Sequence, residues 1–168
     1  MVENKFPSLG KISIRELLNL HSEVLEELRN RGVVRSSNNP VGDYAEYLFC
    51  QSFGWELADN SEKDADAFAL DGTRYQIKGR RMTRHNASRQ LGALRRLPDE
   101  NFKFLAGVLF NEDFTVLRAA LIPHRLVLEN STFVKETNSW RFMLRDETWE
   151  WPEVEDVTET LKKTNSAS

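Results

Sequence analysis

Asp66, Gln76 and Lys78 are the residues whose types and spacing could do chemistry. Residues 65–70 and 73–78 read as two short strands, and Asp71-Gly72 between them is a hairpin signal of the type I′ kind, which needs positive φ. Residues two apart in a strand point to the same face, so Gln76 and Lys78 share a side and Ile77 looks the other way. Turning back at Asp71-Gly72 leaves Asp66 only slightly beyond the direct partner range of Lys78. Tyr75 and Ile77 pack into the core and hold the trio in register. A carboxylate, an amide oxygen and an ammonium are thereby gathered at the open end of a hairpin, an arrangement that is electrostatically odd without a ligand.

These residues need elements to position them. Ser13-Ile14-Arg15-Glu16 reads as a capping box, and Leu17, Leu18, Leu20, Val24, Leu25 and Leu28 follow at helical spacing until Gly32, giving a helix over about 14–30. A polar connector, 35–40, leads to a second helix over about 41–53 that carries Glu46. Tyr44, Tyr47, Leu48, Cys50 and Phe53 form its apolar side, and Gly54 ends it. A short strand at 55–58 precedes the hairpin. Residues 87–97 read as a helix with Leu91, Leu94 and Leu97 on one side, broken at Pro98-Asp99. Two apolar strands, 102–110 and 115–122, are joined by Asn111-Glu112-Asp113 and suit the middle of a sheet covered on both faces. Pro123 opens a short helix through about 130. The tail holds Trp140, Phe142, Trp149 and Trp151, a weak helix near 153–162 and a disordered end at 164–168. The expectation is one α/β domain over 1–163: an N-terminal helix and connector (1–40), a core (41–130) and a C-terminal extension (131–163).

At 168 residues, 40% hydrophobic and 29% charged, the chain has the size and composition of a globular domain with a real core. No run approaches the length of a transmembrane helix, residues 1–6 lack the layout of a secretion signal, and the single Cys50 reads as a buried thiol; a cytoplasmic protein with no membrane partner is expected. The net charge of −3 hides an asymmetry. Arg74, Lys78, Arg80, Arg81, Arg84, Arg89, Arg95 and Arg96 crowd into 73–97, a stretch with no Asp or Glu, while all 26 acidic residues lie elsewhere. Such a segment offers a local phosphate-binding surface. A solvated basic face paired with acidic neighbours is the plain alternative.

Asp66, then Gln76-x-Lys78 ten residues on, preceded by a helix bearing Glu46, resembles the active-site pattern of the PD-(D/E)XK, or restriction-endonuclease-like, nuclease superfamily. Tyr75-Gln76-Ile77-Lys78-Gly79-Arg80-Arg81 looks like the branch in which Gln replaces the middle acid. The resemblance covers about 41–97, and the two following strands fit the remainder of the sheet. It implies a restriction-endonuclease-like core: a mixed central β-sheet flanked by helices, here with an extra N-terminal helix. It also implies a Mg²⁺-dependent endonuclease (Mn²⁺ as a substitute) acting on phosphodiester bonds of double-stranded DNA, in a restriction-like or repair system. Asp66 would be the principal metal ligand, Gln76 would supply a side-chain oxygen and Ile77 its carbonyl, and Glu46 would reach in from the helix. Mg²⁺ held by such hard oxygens activates a water and offsets phosphoryl charge. Lys78 would orient that water or neutralise the phosphate. Arg80, Arg81 and Arg84, with Arg89 and Gln90 on the next helix, could contact flanking phosphates.

Other readings compete. Gln76 in place of an acid removes one negative charge, which weakens metal affinity and points to a catalytically silent nucleic-acid-binding or assembly module as the second reading. A protein-interaction domain that docks an acidic partner through its basic segment is the third. Asp64 shares a strand face with Asp66 and competes as the ligand; Asp43 either looks toward the site or serves the first turn of its helix. His21, His85 and His124 lack metal spacing, and Ser88 and Cys50 lack a base. Arg95 and Arg96 could pair with Asp99 and Glu100. A homodimer is expected, with the N-terminal helix or the Trp-rich tail as the interface.

Overall fold

The computed structural model describes residues 8–59 and 65–167 of the chain. Helix α1 (Ile14–Asn30) opens with the expected capping box: Ser13 Oγ accepts from the Glu16 N–H at 3.3 Å, and the Glu16 carboxylate accepts from the Ser13 N–H at 2.7 Å. None of its residues is buried. Ile14, Leu18 and Val24 are 79%, 64% and 50% exposed, so the apolar stripe is only partly covered by the body. Helix α2 (Val41–Phe53) is the opposite case, with Ala45, Leu48, Phe49 and Cys50 buried and Gly54 ending it at φ 67°.

Strands β1 (Glu56–Leu57), β2 (Ala67–Phe68) and β3 (Arg74–Arg81) follow. The turn between β2 and β3 differs from the expected type I′. Of its residues only Gly72 has positive φ, at 82°. The Gly72 N–H donates to the Ala69 carbonyl, and the Ala69 N–H donates to the Thr73 carbonyl, each at 2.9 Å. Leu70 and Asp71 therefore form an ordinary turn followed by a left-handed glycine, and Asp71 Oδ1 secures it by accepting from the Thr73 N–H at 2.9 Å. The extra residue leaves Ala67 opposite Tyr75, and the Asp66 N–H donates to the Tyr75 carbonyl at 2.9 Å.

Beyond β3 the chain forms β4 (Phe104–Phe110), β5 (Val116–Pro123), α3 (His124–Glu129), β6 (Thr132–Val134), β7 (Ser139–Arg141), β8 (Glu155–Asp156) and α4 (Thr158–Ala167). Six strands make one mixed sheet in the order β1-β2-β3-β4-β5-β8, while β6 and β7 pair separately. β3 and β4 are parallel; the other neighbours in the sheet are antiparallel. The protein is thus an α/β fold built on a mixed central sheet flanked by helices. α4 continues to Ala167, so the expected disordered end at 164–168 is replaced by helix as far as the described residues run. Asn165 anchors that last turn, donating to the Tyr44 hydroxyl at 2.7 Å. No helix among the described residues is long and apolar enough to cross a membrane.

Two cores flank the sheet. On one face α2 and α4 pack over Ile77, Ala106, Val108, Phe110, Ala119 and Leu121. On the other, Leu105, Leu109, Ala120 and Ile122 meet α3, Phe142, Leu144 and the crossover arm, residues 82–103, that links β3 to β4. β4 is buried almost throughout, as a strand covered on both faces must be. The arm corrects the expected helix over 87–97. It runs extended against the C-terminal segment: the Leu91 N–H donates to the Phe142 carbonyl at 3.1 Å, and Leu94 and Trp140 exchange bonds of 3.0 and 2.7 Å. Leu91, Leu94 and Leu97 are each buried to 2% exposure or less; the chain reaches the third through a left-handed residue, Arg96 at φ 53°. Gly92 lowers the helical alternative further. Only a short 3₁₀ turn, Leu97–Asp99, is helical there.

Candidate active site

In β3 the alternation sends Ile77 and Gly79 toward α2. A side chain at Gly79 would meet Ala45 Cβ at 2.9 Å, the Val41 carbonyl at 3.1 Å and Phe110 at 3.3 Å, so glycine is what lets α2 lie this close to the strand. Gln76, Lys78 and Arg80 face the other way. The Lys78 stem lies against Gly92 of the arm, whose added Cβ would sit 3.5 Å from Lys78 Cδ.

Asp66 sits one residue before β2, where the hairpin ends. Its own N–H donates to the Tyr75 carbonyl and its carbonyl accepts from the Ala58 N–H, both at 2.9 Å, so the backbone is pinned from two sides. Its Oδ2 accepts from the Gln76 amide nitrogen, accepts from the Ile77 N–H at 2.7 Å and lies 3.7 Å from Lys78 Nζ. The three residues read from the sequence are therefore brought together. Asp64 lies outside the described residues.

Glu46 approaches from α2. Its carboxyl is pushed above the ordinary glutamate value, first by burial and further by the nearby charges of Asp66 and Asp43; Arg35 opposes the shift. The Arg35 guanidinium donates to Glu46 Oε2 at 2.6 Å and to the Ala58 carbonyl at 3.0 Å. Arg35 belongs to the segment read only as a polar connector, and its part in the site went unseen. Asp43, one turn before Glu46, turns to that connector: its Oδ2 accepts from the Arg35 N–H at 2.9 Å, the Ser36 N–H at 2.8 Å and the Ser36 hydroxyl at 3.0 Å.

The basic residues divide. Arg80 donates to the Ser88 carbonyl at 3.1 Å and, with Asn39, Gly42, Arg81, Asn86 and Gly92, lines an open cleft of about 410 Å³ between the start of α2 and the arm. Arg81 leans out to the Glu112 carbonyl, 2.8 Å from its Nε, with its guanidinium 4.4 Å from the centre of the Phe114 ring. Arg84 is exposed and donates to His85 at 3.0 Å. Arg89 and Gln90 lie on the extended arm instead of a helix; Arg89 pairs with Asp146 at 2.6 Å, and Gln90 bridges to Met143. Arg96 pairs with Asp99 at 2.8 Å.

The remaining candidates have structural partners. His124 is buried with its Nε2 at 2.7 Å from the Leu97 carbonyl. Burial, with Glu46 beside it, pushes the Cys50 thiol up to about 12, far from a working nucleophile. The Trp149 indole N–H donates to the Ala119 carbonyl at 3.2 Å, clipping the tail onto β5, and Arg118 stacks over its ring at 3.8 Å.

No cluster of three His, Cys, Asp or Glu side chains suited to a metal occurs among the described residues. The donors at this site are of a different composition: two carboxylates, an amide oxygen and a backbone carbonyl, all hard oxygens of the kind that bind Mg²⁺ together with several waters. Compared with known proteins, the chain matches no family model and no curated protein.

Proposed function

We propose that this protein is a Mg²⁺-dependent endonuclease of the PD-(D/E)XK type, cleaving phosphodiester bonds in double-stranded DNA in the cytoplasm. The observation that carries the reading is the convergence of Gln76, the Ile77 N–H and Lys78 on one oxygen of Asp66, with the Glu46 charge felt from α2. Asp66, Glu46, the Gln76 side-chain oxygen and the Ile77 carbonyl would hold the cation, and Mn²⁺ would substitute. When bound, the cation lowers the pKa of a coordinated water and offsets charge on the phosphoryl oxygens. Lys78, held against Gly92, keeps its ammonium beside Asp66, where it can orient the attacking water or meet charge developing on the phosphate. Arg80 and Arg81 line the cleft leading away from Lys78 and suit flanking phosphates, with exposed Arg84 beyond them. Arg89 and Gln90 serve less directly, since the first is already paired with Asp146.

The test is cleavage of plasmid DNA with Mg²⁺ or Mn²⁺. Asp66→Ala and Lys78→Ala should each lower it by about 100-fold or more, the scale of losing a positioned charge or acid–base group. Unchanged cleavage in both variants would remove these residues from the mechanism. A second reading, a nuclease-type fold that binds nucleic acid without cutting, is favoured by one feature: the carboxylates are already satisfied by Lys78, Gln76 and Arg35. DNA binding that weakens with salt, with no cleavage under either metal, would establish it. Acting on both strands calls for two copies. The exposed Ile14, Leu18 and Val24 of α1 are the surface we assign to the second, and a monomer by light scattering at working concentration would overturn that assignment.

A further inference from the structure

We propose that Arg35 is a resident cation of this site, which a divalent ion must displace from Glu46 in order to bind. The inference rests on the metal-binding reading above and concerns what sets the affinity. Two ion pairs meet there, Glu46 with Arg35 and Asp66 with Lys78, while Asp43 is taken up by the connector backbone. Each carboxylate that would face a metal already has a cationic partner. Gln76 strengthens that state. A second carboxylate in its place would repel Asp66, whereas the amide nitrogen donates to it.

The Arg35 contact is built so that it can open. Its guanidinium holds two acceptors, Glu46 at 2.6 Å and the Ala58 carbonyl at 3.0 Å. Its backbone is held separately, through the Arg35 and Ser36 N–H groups on Asp43 at 2.9 and 2.8 Å. The side chain can therefore swing away while the connector stays in place. The Arg35 and Glu46 side chains are 31% and 17% exposed, so the guanidinium has a path to solvent and the carboxylate it leaves is largely dry. A largely buried carboxylate stripped of its partner is costly, and another cation is the direct compensation. Arg35 thus opposes the metal while the metal is absent, and its release leaves Glu46 available as a ligand.

The experiment is a Mn²⁺ titration followed by the loss of the free-ion EPR signal, on the full chain as wild type, Arg35→Gln, Asp66→Ala and Glu46→Gln/Arg35→Gln. Arg35→Gln should bind Mn²⁺ at least about tenfold more tightly than wild type, the order expected when a largely buried charge loses its partner. The tightening should vanish in the double variant, and Asp66→Ala should bind weakly or not at all. Misfolding cannot produce tighter binding, so the direction itself is diagnostic. A second measurement needs no substitution at Arg35: Mg²⁺ added to the wild type should shift the Arg35 Nε–H cross-peak in NMR. Binding by wild type that Asp66→Ala removes, with equal or weaker binding in Arg35→Gln and a still Arg35 signal, overturns the resident-cation proposal and leaves the metal reading intact. Mn²⁺ bound by none of the proteins overturns both, whereas binding by Arg35→Gln alone supports the proposal in its strongest form.

Discussion

The helix-covered face of the central sheet and the arm-covered face bury comparable side chains by different means. On the first, Phe49 of α2 lies fully enclosed with Leu48 and Ala45, carried by thirteen residues of regular helix. On the second, Phe142 is equally enclosed, but it and its neighbours Leu91 and Leu94 come from two extended segments joined by a few backbone bonds. The candidate site straddles the two. Lys78 points toward the arm and touches Gly92, while Glu46 arrives from the helix. Regular helix is therefore not required to enclose a large aromatic side chain here: the sheet is covered on both faces, and the site draws on both.

The largest expected effects break this comparison directly. Phe49→Ala and Phe142→Ala should each destabilise the protein by about 3–5 kcal/mol, the usual cost of emptying a fully buried aromatic position. The measurement is urea unfolding followed by tryptophan fluorescence. If Phe142→Ala cost well under half as much as Phe49→Ala, the arm would be a loosely held lobe able to collapse around the gap. Similar losses with one shared transition would make the two faces a single cooperative unit.

A smaller effect is expected at the closest approach of α2 to the sheet. Gly79→Ala places a methyl 2.9 Å from Ala45 Cβ and 3.1 Å from the Val41 carbonyl, so α2 must give by a few tenths of an ångström. A cost of about 1–3 kcal/mol is expected for such overpacking. The same shift moves Glu46 relative to Lys78, so DNA cleavage and Mn²⁺ affinity should fall together although neither site residue is changed. Gly92→Ala is the matched substitution on the arm side. Its added methyl meets only Lys78 Cδ, at an ordinary 3.5 Å, and it should leave stability nearly unchanged. A destabilisation by Gly92→Ala as large as that of Gly79→Ala would show that the arm, too, is packed to its limit.

The two faces also differ in how far the sequence revealed them. The hairpin cluster was legible because a period of two leaves no freedom: once Ile77 is buried, Gln76 and Lys78 must face the other way. Even the misjudged turn preserved the grouping, since its extra residue put Ala67 opposite Tyr75 and left the Asp66 carboxylate within reach of Gln76 and the Ile77 N–H. α2 was equally plain from its apolar side and its terminal glycine. The arm was misread because Leu91, Leu94 and Leu97 recur every third residue, which suits a helix but is met equally by an extended segment that turns at Arg96. What chose between them was Phe142 and Trp140, about fifty residues later, which supply the backbone partners. Arg35 was hidden for the same reason. Its two acceptors lie 11 and 23 residues along the chain, and no local pattern connects a polar connector to them.

The smallest predicted effect concerns Glu46, the acidic side chain through which α2 reaches the site. In the folded protein the Glu46 carboxyl lies above its ordinary value of 4.5, chiefly through burial. Between that ordinary value and the raised one, the folded protein holds a proton that the unfolded chain has released. The native state then binds more protons, so the Glu46 contribution to stability falls as pH rises through this interval. Below it both states are protonated and the penalty is absent; above it both are ionised and the penalty is complete. Glu46→Gln removes the titration while keeping an oxygen for Arg35 to meet. Urea unfolding of wild type and Glu46→Gln over about pH 4 to 7 isolates the term, because the other carboxylates cancel in the difference. The variant should gain on wild type as pH rises past the ordinary value and then hold a constant difference. A difference that does not change with pH would mean that Arg35 offsets the burial of Glu46 completely, and that the helix-borne carboxylate sits in the site without strain.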